Sequence, residues 1–373
     1  MTMRKKSTPI SFISPEINHR EVGLIIKESL KAGLPNEGYL TKIFEKKISK
    51  IMNVKHVVAT TSGTISLFLA LKSLDIKNKD EVLVPNITFA ATANAVNLTG
   101  AKPVLVDVNK DNILIDINQL KKKISKRTKA IIAVHVSGRG SNIKELKNIS
   151  KKYKIKLIED AAEAFISKSH KKYLGTFGDI GCFSFSPPKI ITTGQGGAIV
   201  TNNTKLFEKI LKLKNQGRVG FSNGGEDNHD SVGYNFKFTN IQSALGISQL
   251  NSINWRKKRL LENHNLYKRH IIENKKIKLI NFDLKNGEIP LWTDIYCEQR
   301  NKLHNFLLKN GFESRLFWHP LNYCKPYKKS FKDFKNSYKL KGKLLWLPSS
   351  FNLKRNQILK ISKLVNIFSK KFL

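Results

Sequence analysis

The stretch AIIAVHVSGRGSNIKELKNISKKYKIKLIEDAAEA, residues 130–164, contains the pattern from which the fold can be predicted. It opens with the apolar run 130–136 and closes with the apolar run 156–160, and both have the length of a buried strand. Between them, SNIKELKNISKKY places its apolar residues at helical spacing. A strand, a helix and a second strand in this order predict two parallel strands of one sheet, joined by a helix on its face.

The same alternation extends along the chain on both sides of this stretch. Further apolar runs occur at residues 57–60, 81–85, 103–108, 182–186 and 197–201, and amphipathic segments separate the earlier ones. We therefore predict an α/β fold, with a doubly wound and mostly parallel sheet in a large domain over residues 1–250. A long helical stretch from Asn240 to about Ile271 leads into mixed strands and helices, which predict a smaller α+β domain over residues 251–373.

The charge of the chain is strongly positive. Its 373 residues include 67 Lys and Arg against 28 Asp and Glu, a formal net charge of +39, which by itself favours an anionic partner such as nucleic acid. Only 11 of the basic residues are Arg, whereas proteins that read nucleic acids rely on Arg and on aromatic residues beside the basic groups. The Lys surplus is typical of an AT-rich genome, and we expect basic runs such as 256–259 on solvated helix faces. We predict no nucleic-acid partner.

The sequence also argues against a metal site, secretion and membrane insertion. The three cysteines, Cys182, Cys297 and Cys324, form no CxxC motif and have no histidine pair at zinc-binding spacing. No apolar run approaches 18 residues, and the charged start MTMRKKSTPISF lacks the apolar core of a signal peptide. These features predict a protein of the reduced cytoplasm, with neither a metal nor a membrane partner.

Polar and small residues follow the predicted strands, at the edge where open α/β sheets bind their ligands. Residues 60–64, TTSGT, precede a helical segment whose N–H groups suit a phosphate, although a simple capping turn is the alternative. Asp160 ends a buried strand, where its carboxylate is either structural or the partner of a pyridinium nitrogen. Lys189 follows another strand, and a buried amine can lose its proton and form a Schiff base.

Six motifs in a fixed order resemble the DegT/DnrJ/EryC1/StrS family of nucleotide-sugar aminotransferases. They are SGT at 62–64, VPNITFAATANAV at 84–96, PVLVDV at 103–108, EDAAEA at 159–164, GTFGDIGCFSF followed by KIITTGQGGAIVT within 175–201, and VGYNFKFTNIQSALGISQL at 232–250. The likeness runs from ISFISPEI at 10–17 to LWLPSSFNL at 345–353. It implies a fold type I enzyme that depends on pyridoxal 5′-phosphate, active as a homodimer whose active sites are shared between subunits.

The resemblance also assigns roles to individual residues. Lys189 matches the lysine that binds the cofactor covalently and then moves the proton during transamination. Asp160 matches the carboxylate at the pyridine nitrogen. The other implied cofactor contacts are the phosphate cradle of Gly63, Thr64 and Ser184, Phe89 against the ring face, Glu163, and Asn235, which matches an asparagine that reaches the phosphate bound by the neighbouring subunit.

The substrate implied by the resemblance is a nucleotide-diphosphate keto sugar, with glutamate as amino donor, for surface polysaccharide or glycan biosynthesis. At Glu163 the sequence resembles the enzymes that aminate C4 of a 4-keto-6-deoxy sugar. An equal alternative is that Glu163 is a carboxylate at a helix N-terminus, where it interacts with the helix dipole. The expected substrate contacts are Arg315, His319 beside Trp318, and Lys237, which replaces an arginine common in the family. Ser137 and Arg139 in HVSGRG also depart from the family pattern.

Three other functions stay open at this point. A sugar dehydratase of the same fold carries histidine in place of the lysine, so Lys189 counts against it. A C3 sugar aminotransferase differs only in where the amino group is placed. A regulatory or nucleic-acid-binding protein is suggested by the net charge alone.

Overall fold

A computed structural model of the chain describes residues 9–31, 35–218 and 228–373. The charged start considered in the sequence analysis lies largely outside the described residues, because these begin at residue 9.

The first part of the chain forms a sheet of seven strands and a separate small hairpin. The strands, in chain order, are β1 (His56–Thr60), β2 (Glu81–Pro85), β3 (Lys102–Val106), β4 (Thr128–Val134), β5 (Lys156–Asp160), β6 (Lys168–Ser169), β7 (Lys172–Tyr173), β8 (Ile180–Ser184) and β9 (Gly197–Thr201). The sheet order is β1-β9-β8-β5-β4-β2-β3, while β6 and β7 pair only with each other. Only β9 runs antiparallel to its neighbours β1 and β8. The predicted α/β fold with a mostly parallel sheet is therefore confirmed.

Helices cover the sheet, and most of them begin or end where the sequence supplies a cap. They are α1 (His19–Lys31), α2 (Tyr39–Met52), α3 (Gly63–Ser73), α4 (Ala91–Leu98), α5 (Ile117–Lys123), α6 (Ile143–Tyr153) and α7 (Thr204–Lys214). The side chain of Ser62 accepts a hydrogen bond from the Ile65 N–H and so starts α3. Helix α6 buries Ile143, Leu146 and Ile149, each three residues from the next, against the sheet. The predicted strand–helix–strand unit over residues 130–164 is thus β4, α6 and β5.

The last part of the chain forms a second, antiparallel sheet of four strands. Its elements are α8 (Asn240–Asn251), α9 (Ile253–His270), β10 (Ile277–Leu279), β11 (Thr293–Cys297), α10 (Arg300–Lys309), β12 (Arg315–Leu316), α11 (Lys335–Leu340), β13 (Leu344–Leu347) and α12 (Arg355–Phe372). The order β10-β11-β13-β12 places β11 and β13 in the centre. Short 3₁₀ turns lie at Val136–Gly138, Leu284–Asn286, Leu321–Tyr323, Lys325–Tyr327 and Phe331–Asp333.

Two expectations about residues 240–271 are wrong. The single long helix is two helices, because Ser252 leaves the helical conformation, with φ −99° and ψ 11°, and its side chain accepts a hydrogen bond from Nε of Arg256. Arg256 does not lie on a solvated face but is buried, and its guanidinium donates to the carbonyl oxygens of Glu16 and Ile190. Arg256, although it belongs to a run of basic residues, therefore connects α9 to the segments that contain Glu16 and Ile190.

Among the described residues, no helix combines the length and the apolar character that crossing a membrane requires.

Candidate active site

A cavity of about 290 Å³ lies beyond the carboxyl ends of the central parallel strands. It is bounded on one side by residues that follow these strands and on the other by residues of the second sheet. Eight of the residues predicted for the site line it: Gly63, Thr64, Phe89, Asp160, Glu163, Ser184, Lys189 and Arg315. Parallel strands bring distant parts of the sequence together at this edge of the sheet, which explains the convergence.

Asp160, the last residue of β5, presents a buried carboxylate to the cavity. Its Oδ2 accepts a hydrogen bond of 2.8 Å from Oγ1 of Thr92, and its Oδ1 accepts one of 3.2 Å from the N–H of Ala162. Burial raises the pKa of Asp160 above its ordinary value, while these two hydrogen bonds and the charge of Lys189 act in the opposite direction. The carboxylate of Asp160 is thus a fixed hydrogen-bond acceptor that can accept from one further donor in the cavity.

Lys189 reaches the cavity from the loop that follows β8. The backbone N–H of Lys189 donates to the carbonyl of Ser186, and the N–H of Thr193 donates to that of Phe185, so the loop is tied to the end of the strand. The side chain is only 12% exposed, and its Nζ lies 3.2 Å from Oε1 of Glu163. The ammonium is therefore held against a carboxylate at the edge of the cavity.

Glu163 follows β5 in a run of turns rather than at the start of a helix, so the alternative interpretation as a helix N-terminal carboxylate is wrong. Its two oxygens have separate partners: Oε1 faces Lys189, and Oε2 accepts a 2.8 Å hydrogen bond from the N–H of Ser137. The carboxylate is almost fully buried. Its orientation is consequently fixed from both ends.

The N-terminus of α3 approaches the end of β8 very closely. A Cβ on Gly63 would lie 2.8 Å from Cβ of Ser184, and a Cβ on Gly197 would lie 2.6 Å from backbone atoms of Ser62. Only glycine permits this approach, because any side chain there would force the two segments apart. The N–H groups at the start of α3 and the hydroxyl groups of Thr64 and Ser184 form a concave cradle of the kind that binds phosphate.

The opposite wall is aromatic, and sequence reasoning largely missed it. Trp292, Trp318 and Trp346 line the cavity, which is three of the four tryptophans in the chain. Trp346 lies 4.8 Å from Trp292 and 5.0 Å from Trp318 between ring centroids, and Cζ of Arg315 lies 5.5 Å from the ring of Trp346. The only signal in the sequence was the concentration of tryptophan in segments 292–346, which is equally typical of a core.

Three predicted residues lie apart from the described lining of the cavity. Asn235 is exposed, and its backbone pairs with that of Asn215 in an isolated bridge. Lys237 is partly exposed and His319 is exposed, beside the cavity residue Trp318. Their predicted contacts, with a neighbouring subunit or with a substrate, remain predictions.

The chain belongs to the DegT/DnrJ/EryC1/StrS aminotransferase family, whose sequence pattern it matches over residues 17–366. It is 32% identical to the GDP-perosamine synthase of Escherichia coli O157:H7, over 90% of this chain and 92% of that protein. It is 33% identical to a UDP-4-amino-4,6-dideoxy-N-acetyl-beta-L-altrosamine transaminase of Campylobacter jejuni, over 86% of each. The PLP-form of the putative sugar aminotransferase Spr1654 from Streptococcus pneumoniae has the same fold, with a TM-score of 0.92 at 23% identity, covering 98% of this chain and all of that one.

Proposed function

We propose that this aminotransferase uses pyridoxal 5′-phosphate to transfer an amino group from glutamate to C4 of a nucleotide-linked 4-keto-6-deoxy sugar. Such a product serves surface polysaccharide or glycan biosynthesis. The observation that carries the proposal is the cavity itself, which brings a buried carboxylate, a nearly buried lysine and a helix N-terminus together at the end of the sheet.

The residues present fit this cofactor. Asp160 offers a buried acceptor for a protonated ring nitrogen, and the cradle at Gly63, Thr64 and Ser184, which a Cβ on Gly63 would fill, suits its phosphate. Phe89 lines the same cavity and is the proposed contact for the ring face. When bound there, pyridoxal phosphate supplies an electron sink for the carbon that loses its proton.

Lys189 performs two tasks in this proposal. Its amine would hold pyridoxal phosphate covalently and, once an amino donor had displaced it, would carry the proton that the transamination moves. Glu163 lies 3.2 Å from this nitrogen and holds it at the edge of the cavity. A histidine in place of Lys189 could not form the covalent link, which is why the dehydratase alternative is disfavoured.

Asp160 would serve the same reaction by acting on the ring nitrogen of the cofactor. A carboxylate that stays ionised favours the protonated form of a ring nitrogen that donates to it, and this protonation stabilises negative charge on the reacting carbon. Thr92 and Ala162 donate to Asp160 and support its ionised form against burial.

The substrate side of the cavity supports a sugar nucleotide. Arg315 is exposed at the cavity and offers a planar pair of donors for a diphosphate. Trp318 and Phe89, 6.2 Å apart between ring centroids, present aromatic surface to a sugar ring. The proposal of C4 rests on Glu163 and on the transaminase relative, whose name specifies a 4-amino-4,6-dideoxy sugar. Lys237 and His319 stay proposed substrate contacts.

We also propose that the protein forms a homodimer, in which the exposed Asn235 reaches the cofactor phosphate of the neighbouring subunit. A cytoplasmic location is supported by Cys182, Cys297 and Cys324, each of which is a free thiol. The division into domains 1–250 and 251–373 is supported by the separate sheets on either side of residue 251. The scarcity of arginine supports the proposal that nucleic acid is not a partner.

The test is to follow labelled nitrogen into the product. The purified enzyme is incubated with ¹⁵N-glutamate and either a GDP-linked or a UDP-linked 4-keto-6-deoxy sugar, and the product is examined by NMR. The proposal predicts ¹⁵N bonded to C4 of at least one of the two sugars. Transfer only to a 3-keto sugar would replace C4 by C3, and failure of any amino acid to donate nitrogen would overturn the proposal.

A further inference from the structure

Ser137 lies just after β4 in a backbone conformation that residues with a Cβ rarely adopt. Its φ is 54° and its ψ is 17°, in the left-handed region. The side chain is fully buried. A conformation of this kind persists only where the surrounding contacts hold it in place, so the partners of Ser137 indicate what it serves.

The N–H, the carbonyl and the hydroxyl of Ser137 together make four hydrogen bonds. Its N–H donates to Oε2 of Glu163 at 2.8 Å, and its carbonyl accepts from the N–H of Leu291 at 3.0 Å. Its hydroxyl donates to Oδ1 of Asp294 at 3.0 Å and accepts from Nε1 of Trp346 at 3.2 Å. Three of these four partners come from the second sheet and its loops, so Ser137 joins that part of the chain directly to Glu163.

Asp294, on β11, is held by a second residue of the same loop. Its carboxylate forms a fully buried ion pair with the guanidinium of Arg139. Arg139 is itself fixed, because its Nε donates to the carbonyl of Asn112 and its guanidinium lies 4.6 Å from the ring of Phe282. Burial raises the pKa of Asp294 to about 6, whereas Arg139 and Ser137 favour its ionised form. Loss of either partner would leave a buried charge without compensation.

The other end of this chain of contacts is the catalytic lysine. Glu163 faces Ser137 with one oxygen and Lys189 with the other. Trp292, two residues before Asp294, lies 5.1 Å from Nζ of Lys189 at its ring centroid. The charged groups around Lys189 are Glu163 and Asp160, with the Asp294 and Arg139 pair beyond Ser137.

We propose that Ser137, Arg139 and Asp294 are positioning residues: the buried ion pair holds Ser137, and Ser137 holds the carboxylate of Glu163 against the nitrogen of Lys189. None of the three lines the cavity, and they act through Glu163, which accepts a hydrogen bond from the N–H of Ser137. This inference rests on the proposed function, because it assumes that Lys189 carries the chemistry.

The expected effect has a defined direction. A carboxylate held beside the nitrogen that would link Lys189 to the cofactor favours the protonated form of that link. Releasing Glu163 should therefore make this nitrogen lose its proton at a lower pH. Asp294→Asn acts in the same direction a second way, because it removes the negative charge paired with Arg139 and leaves Glu288 as the carboxylate near that guanidinium.

The experiment is a pH titration of the visible absorbance of the cofactor-loaded protein, without substrate, for the wild type, Asp294→Asn and Ser137→Ala. The matched control is Asp107→Asn. Asp107 is also a buried acid that ties the two halves together, since it accepts from the N–H groups of Asn336 and Ser337, yet it has no contact with Glu163. Melting temperatures show whether each variant folds.

We expect both variants to shift the midpoint of the titration downward by about 0.5 pH unit or more, to lower kcat about tenfold and to change the KM for the sugar little. Asp107→Asn should leave the midpoint unchanged. Midpoints equal to that of the wild type, or an equal shift in Asp107→Asn, would overturn the inference. If Asp294→Asn does not fold, Ser137→Ala decides alone. A wild type without any visible band would instead overturn the proposed function.

Discussion

The hydroxyl of Thr92 donates a 2.8 Å hydrogen bond to Oδ2 of Asp160. Because its only proton is used in this way, its 2.9 Å contact with Oγ1 of Thr88 must be a bond that Thr88 donates. Thr92 lies at the start of α4, whereas Asp160 ends β5, so the two are brought together by the sheet and not by the sequence. The hydrogen bond favours the ionised form of the buried carboxylate.

Thr92→Val should shift the acidic limb of the activity profile to higher pH. Valine keeps the shape of threonine but removes the donor, so the pKa of Asp160 rises further and the carboxylate ionises later. We expect a shift of roughly 0.5 to 1 pH unit in kcat/KM. Thr99→Val is the control, because its hydroxyl donates to the carbonyl of Val96 at the other end of α4. An unchanged acidic limb in Thr92→Val would contradict the role given to Asp160.

Gly63→Ala should weaken cofactor binding by about tenfold or more, because its Cβ would lie 2.8 Å from that of Ser184 and would fill the cradle. The control is Gly23→Ala in α1, where the structure places nothing within 4 Å of the new Cβ. Both variants would be titrated with pyridoxal phosphate and followed by absorbance. If Gly63→Ala and Gly23→Ala bind pyridoxal phosphate with equal affinity, the phosphate is not bound in this cradle.

Lys189→Ala and Asn235→Ala should complement each other when they are refolded or co-expressed together. In the proposed homodimer each variant alone damages both active sites, but a mixed dimer has one site with both residues intact. Random pairing therefore restores activity to about a quarter of the wild type. Recovery no greater than the sum of the two single variants would argue against a shared site.

Glu45→Gln should change how stability depends on pH. Burial raises the pKa of Glu45 from 4.5 to about 7, and the folded protein therefore keeps a proton that the unfolded chain releases. The free energy of unfolding falls as pH rises through that window. Glutamine cannot titrate and still offers an oxygen to the N–H of Ala59, which Glu45 binds at 2.7 Å.

Urea unfolding at pH 5 and pH 8 measures this difference. Relative to the wild type, Glu45→Gln should gain about 2 to 3 kcal/mol of stability at pH 8 compared with pH 5. The same dependence on pH in both proteins would show that Glu45 is ionised throughout this range.

Much of the sheet and half of the site could be predicted because they depend on local patterns. The runs 81–85, 156–160 and 197–201 coincide with strands of the structure, since strands that a sheet buries on both faces are short and largely apolar. Asp160 and Gly63 could be found because a ligand site in such a sheet lies where strands end. The break at Ser252 could not, because neither glycine nor proline marks it.

The position of the aromatic wall opposite Lys189, and the contacts of Ser137 with Asp294 and Trp346, depend on packing between segments more than 100 residues apart. Nothing in the sequence around Trp292 or Trp346 separates a cavity wall from an ordinary core, and both are buried. The sequence around Arg139 and the sequence around Asp294 share no pattern that would predict the ion pair between them. The departures at Ser137 and Arg139 were visible in the sequence, but their partner was not.

The proposed function requires that Lys189 binds pyridoxal phosphate covalently and that an amino donor can displace Lys189 from it. Its most direct test is the visible absorbance spectrum of the purified protein before and after addition of glutamate, beside the spectrum of Lys189→Ala. Lys212→Ala is the matched control, since this lysine also pairs with a carboxylate, 2.9 Å away, but lies outside the cavity. We predict a visible band that glutamate bleaches in the wild type and in Lys212→Ala, and that Lys189→Ala lacks. A band of equal strength in Lys189→Ala, or no band in the wild type with added cofactor, would contradict the claim.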